Sequence, residues 1–168
     1  LWGAYDKDYV WSGGTSMSAP LVAGAASVAR QYLVEKLGQT NPSSALLKAY
    51  MHHFAVEMYP GQYGEMGASR GQEILQRRPN SDEGFGRVDM GQMMKTAPVL
   101  VVDDRSGVQA GEEKVYSFSV SADSKLLINL VYNDAPASPN AASALVNDLD
   151  MVLVKADGSQ VAAQDRIN

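Results

Sequence analysis

The sequence predicts a mixed α/β chain: a helical, glycine-punctuated portion up to about Pro98, then part of an antiparallel β-sandwich. Three observations predict it. Residues 16–37 are helical in pattern, and their first half is small and apolar on every side, as in a helix buried among close neighbours. Beyond Pro98 the apolar period falls to two, the mark of half-buried strands. No helix-length segment separates those later runs, which suits an antiparallel sandwich.

Tyr9-Val10-Trp11 is a short apolar stretch running into the turn signal Ser12-Gly13-Gly14. The first helix extends from Ser16 to about Leu37. Leu21-Val22-Ala23-Gly24-Ala25-Ala26 should lie inside a core, while Arg30, Gln31, Glu35 and Lys36 should bring the second half toward solvent. Gly38 supplies the stop. A second helix opens at Asn41-Pro42, with Asn41 as N-cap and Pro42 at the first helical position. Leu46, Leu47, Tyr50, Met51 and Phe54 form its apolar stripe. Residues 60–83 read as a long surface loop with room for a short helix at 72–77. Gly84-Phe85-Gly86-Arg87-Val88-Asp89 then makes a compact turn into a third short helix.

In the second half, Tyr116, Phe118 and Val120 alternate with serines, and Leu126, Ile128, Leu130 and Tyr132 mark a further strand. Leu149, Met151 and Leu153 alternate with Asp148, Asp150 and Val152. Asp157-Gly158 is a hairpin turn leading into Gln160–Ala163. Roughly four strands are too few to close a sandwich. Leu1 and the closing Gln164–Asn168 both read as interior positions of a longer chain.

Composition narrows the function classes. Apolar residues make up 45% and charged residues 20%, an ordinary globular balance. Net charge is −5 with acids and bases interspersed, so there is no basic face for nucleic acid. The chain has no cysteine, which excludes disulfides and thiolate metal sites. No run approaches the roughly 20 apolar residues that span a bilayer.

The informative stretch is Gly14-Thr15-Ser16-Met17-Ser18-Ala19-Pro20. A serine here sits where a glycine turn meets the start of a helix. The free N–H groups of a first helical turn, with the positive end of the helix dipole, point at whatever such a serine attacks. An acyl-transfer intermediate carries its oxyanion at that spot, so the placement favours the transition state. Gly13 and Gly14 leave room for a substrate backbone. Pro20 falls near the end of the first turn, where a missing N–H costs least.

Gly14–Pro20, followed by Val22-Ala23-Gly24, resembles the nucleophile motif of subtilisin-like serine proteases. Gly84-Phe85-Gly86-Arg87-Val88-Asp89 resembles the closing segment of that family's catalytic domain, and the interval between the two is similar apart from a longer loop at 60–83. The resemblance implies an α/β fold with a parallel sheet: residues 1–97 as the C-terminal part of a subtilisin-like peptidase domain, with the first helix through its core. Val131-Tyr132-Asn133-Asp134-Ala135-Pro136-Ala137 and Leu145–Asp150 resemble the jelly-roll β-sandwich that follows in one branch, giving 98–168 as a truncated sandwich domain.

The resemblance implies a serine endopeptidase with Ser16 as nucleophile and Gly14 and Thr15 in the substrate and oxyanion loop. The histidine, the aspartate and an oxyanion asparagine would lie upstream of Leu1, because the family's chain order is Asp, His, Ser. Catalysis needs no cofactor, the substrates are proteins or peptides, and residues 1–168 alone should be inactive. Secretion follows from family habit. Asp134, Asn147, Asp148 and Asp150 form an oxygen-rich set, and Asp148 and Asp150 share a strand face; with the resemblance, they are candidate ligands for a structural calcium. Solvated edge carboxylates that discourage strand aggregation are the simpler account of that set.

Other readings stand beside these. Ser16 could serve only as a helix cap. His52 and His53 lie mid-helix without the family's histidine context, so they read as structural. Lipase-type hydrolases need Gly-x-Ser-x-Gly, and Ser18 stands where the second glycine belongs; the sedolisin proteases expect a calcium-binding aspartate segment, not Gly84–Asp89. The competing function is a catalytically dead subtilase whose second half binds or stabilises.

Overall fold

A computed structural model of the chain describes residues 8–65, 71–95, 99–121 and 124–163. Pro98, five positions of the expected 60–83 loop and both chain ends lie outside the described residues. The chain forms two compact units, Leu1–Asn129 and Leu130–Asn168.

Unit 1 is built on α1 (Thr15–Glu35), α2 (Ser44–His53) and α3 (Met90–Met93). Past α1, Gly38 takes φ 69°, which a Cβ disfavours, and the Gln39 amide turns back to donate to the Leu33 carbonyl at 2.9 Å. The expected N-cap of α2 at Asn41 is corrected to Ser43, whose hydroxyl accepts from the Leu46 amide at 3.0 Å. Pro42 therefore precedes the cap. The turn at 84–89 does lead into a third helix: Asp89 caps α3 by accepting from the Gln92 amide at 2.9 Å.

The core of unit 1 lies where the three helices meet. Ala25, Ala29 and Leu33 recur every four residues along one stripe of α1 and pack with Leu46 and Tyr50 of α2 and Met93 of α3. Leu33 and Met93 are fully buried, and such side chains contribute roughly 1.5–3 kcal/mol each. The Tyr50 hydroxyl donates to the Met93 carbonyl at 2.6 Å, which satisfies a buried polar group while tying α2 to α3.

The rest of α1 departs from expectation. Residues 15–24 are exposed, with Leu21 at 73% and Met17 and Val22 above 40%. Small apolar residues on every side suit burial, but only one stripe of the helix finds neighbours.

The parallel α/β sheet expected for residues 1–97 is not formed among the described residues: three helices and a two-stranded antiparallel sheet are the regular elements. A parallel sheet needs several extended apolar runs joined by crossovers. The described residues between 16 and 95 supply helices and irregular chain, and no such run. The loop within 60–83 has no helix at 72–77; buried Ile74 anchors it, its amide donating to the Pro60 carbonyl at 3.2 Å. An antiparallel bridge, Val56↔Arg87, ties the end of this loop to the chain just past α2. Gly86 is required there, because a Cβ would fall 2.5 Å from the Val56 carbonyl oxygen.

The sandwich is corrected as well. Residues 116–120 and 126–132 form no strand, and Tyr116, Phe118 and Val120 are exposed alongside the serines between them. An alternating run becomes a strand only when a neighbour takes up its N–H and C=O groups, and among the described residues none pairs with these. Unit 2 does contain one hairpin: β1 (Val152–Val154) pairs with β2 (Gln160–Ala162) in the register Val152↔Ala162, Leu153↔Val161, Val154↔Gln160. The expected turn makes it. Asp157 accepts from the Ser159 amide at 2.8 Å, and Gly158 takes φ 82°. Leu149, Met151 and Leu153 are half-buried while Asp148, Asp150 and Val152 are exposed, so the period of two is present ahead of β1.

Candidate active site at the start of α1

Gly14 precedes α1 with φ 132° and ψ 175°, a backbone that needs glycine, and it offers no side chain to cap the helix. The Met17 and Ser18 amides donate to its carbonyl at 3.0 and 3.1 Å. Ser18 also turns its hydroxyl onto that carbonyl at 3.3 Å, and the Ser12 hydroxyl reaches the Met17 sulfur at 3.3 Å. Among the described residues, neither the Thr15 nor the Ser16 amide has an acceptor, and the Ser16 hydroxyl makes no hydrogen bond. Ser16 is exposed. A Cβ on Gly13 or Gly14 would meet nothing within 4 Å. The result is an open, uncapped helix start with two amides and one hydroxyl free to meet a ligand, at the positive end of a 21-residue dipole.

Neither His52 nor His53 bonds Ser16. His52 stacks on Phe85, ring centroids 3.9 Å apart and 11° between planes, and His53 meets the edge of Phe54 at 4.8 Å. Burial holds both imidazoles below the ordinary histidine value, helped by Lys48 beside His52 and by Arg78 near His53. A neutral histidine could accept a proton, but hydrogen-bond reach comes first for a general base.

The four residues considered for calcium are only partly brought together. The Asp134 carboxylate faces N–H donors: the amides of Ala135 at 2.8 Å and Val146 at 2.6 Å, and the Asn147 amide and side chain at 3.1 and 2.7 Å. The Val146 amide leads in holding its pKa down, against a smaller desolvation effect, with Asn147 and Ala135 adding to it. Among the described residues, no three acids or histidines gather as metal ligands, so Asp148 and Asp150 do not join Asp134. As arranged, Asp134 is a clasp on the 145–147 loop.

Two polar constellations escaped the sequence reading. Asp103 accepts from the Ser43 amide at 2.8 Å and hydroxyl at 2.6 Å, and Arg105 bridges Asp103 to the Asn41 carbonyl. Burial works to raise the Asp103 pKa, but the Ser43 hydroxyl and amide and then Arg105 outweigh it, and the net shift is down. Nearby, Asp104 gathers Lys114, Ser106 and Tyr116; Lys114 and then Ser106 hold its carboxyl far below the usual range. The run Asp103-Asp104-Arg105 was visible as charge, but nothing in it names a partner 60 residues away.

Comparison with protein-family models, curated proteins and solved structures finds no match. Among the described residues, no helix is long and apolar enough to cross a membrane.

Proposed function

We propose that this chain carries the nucleophile of a serine endopeptidase of the subtilisin-like class, with Ser16 as that nucleophile. The observation that carries the reading is the Gly14–Pro20 motif, standing at an open, uncapped start of α1 with Ser16 exposed. In this reading the Ser16 hydroxyl attacks a peptide carbonyl and its proton passes to a histidine oriented by an aspartate. The amide of Ser16 stabilises the oxyanion, with Gly14 and Thr15 lining the approach. The histidine and aspartate precede Leu1, so residues 1–168 alone are expected to hydrolyse no peptide. Secretion, and calcium as a structural ion on Asp134, Asn147, Asp148 and Asp150, rest on the family resemblance; a calorimetric titration without heat removes the calcium.

The test is a fluorophosphonate probe, which labels only an activated serine, applied to the full-length protein and its Ser16→Ala variant. Labelling that disappears in the variant supports the proposal. A folded full-length protein that takes no label is an inert relative, and its second half then becomes the part to assay for binding.

A further inference from the structure

Four basic residues converge where α2 ends. His52 and His53 occupy its last turn, Lys48 stands one turn earlier, and Arg78 reaches in from the loop that follows. Arg78 is not free to withdraw. Its guanidinium donates to the carbonyls of Ala55 and Phe85, the latter at 2.9 Å, and so joins the chain leaving α2 to the 78–87 loop. Phe85 in turn stacks flat on His52. The loop is thus held on α2 by one aromatic stack, one guanidinium and the Val56↔Arg87 bridge.

The neighbouring carboxylates are committed elsewhere. Glu57 accepts from the Arg77 side chain at 2.7 Å and the Arg78 amide at 3.1 Å. Glu83 accepts from the Met58 amide at 2.7 Å and the Asn80 side chain at 3.1 Å. Asp89 caps α3 and pairs with Arg87 at 3.7 Å. An imidazolium at position 52 or 53 therefore meets Lys48 or Arg78 with no uncommitted acid among these. The carbonyls ending α2 and the face of Phe85 would favour a cation. Burial and the two fixed cations oppose it and prevail, consistent with the lowered values of both histidines.

We infer that His52, stacked on Phe85, is an acid-sensitive latch that holds the 78–87 loop against the end of α2 while neutral and releases it once protonated, with His53, in the field of Arg78, adding to the release. The sign follows from linkage. Both groups bind protons more weakly folded than unfolded, so the latch is at full strength above the ordinary histidine value of 6.5 and weakens as pH falls below it. The latch is independent of what Ser16 does.

Hydrogen exchange of the intact protein tests this at about pH 7.5 and about pH 5.5, on either side of that value, after correction for intrinsic rates. Protection of residues 78–87 should fall on acidification, because both imidazoles hold protons more weakly in the folded protein. In a His52→Gln/His53→Gln variant it should not depend on pH, and in Phe85→Leu it should be low at both values. NMR titration of the two imidazoles in the unmodified protein needs no variant to fold, and both should titrate below 6.5 in step with the loss of protection. Equal protection at the two pH values, an undiminished loss in the double variant, or imidazoles titrating at or above the ordinary value would each overturn the inference.

Discussion

At the level of single residues, two adjacent glycines ahead of Ser16 have different jobs. Gly14 holds φ 132°, a region essentially closed to residues with a Cβ, while the space around it is open. Backbone conformation alone decides its case, and Gly14→Ala should cost about 1–3 kcal/mol in chemical denaturation. Gly13 has equally open space and no positive φ, so Gly13→Ala should stay within about 0.5 kcal/mol. If the two variants destabilise equally, the strained entry to α1 is wrong. Should the protein prove to be a peptidase, Gly14→Ala should also lower turnover, because it tilts the first turn that carries Ser16.

Among the elements, α2 shows what a sequence makes legible and what it withholds. Its apolar stripe, the Gly38 stop before it and the short helix after Asp89 all follow from local signals within a few residues. Its cap does not. Asn41-Pro42 is a good local start, yet Ser43 takes the position because, far along the chain, Asp103 accepts from its hydroxyl and Arg105 donates to the Asn41 carbonyl. Ser43→Ala removes both the cap and the Asp103 partner and should cost about 1–2 kcal/mol. Asp103→Asn keeps an acceptor oxygen and should cost less; an equal loss would mean that the charge, not the hydrogen bond, does the holding. The missed strands have the same origin. Residues 116–120 alternate faithfully, but alternation specifies a face, and pairing requires a neighbour, which these residues do not find among the described residues.

For the whole molecule, the helical core of unit 1 hangs together through Tyr50. Burial, and to a lesser degree Tyr32, pushes its phenol up to about 12. A folded value above the unfolded one means that stability is complete below the ordinary tyrosine value of 10.0 and is lost as pH rises from there toward 12. Tyr50→Phe should flatten that alkaline loss, while costing about 1–3 kcal/mol near neutral pH by leaving the Met93 carbonyl without its donor. An alkaline melting curve that is the same in both proteins would place the sensitive group elsewhere. The expectation of a parallel sheet went wrong at this scale: it came from likeness in two short motifs, and a motif fixes a turn or a helix start, not the layers around it. The apolar first half of α1 was read correctly as composition and incorrectly as burial.

The stitch between Ser43 and Asp103 also orders events in time. A ribosome adds about 5–20 residues per second, and 60 residues separate the two ends of the stitch, so α2 waits roughly 3–12 seconds after emerging before Asp103 arrives. For much of that interval α2 has the stripe of α1 beside it, and Arg78, Phe85 and Met93 join only shortly before Asp103 does. The nascent helix pair is therefore the stage at which slow translation, or a chaperone that binds apolar helices, has the greatest leverage on the yield of folded protein.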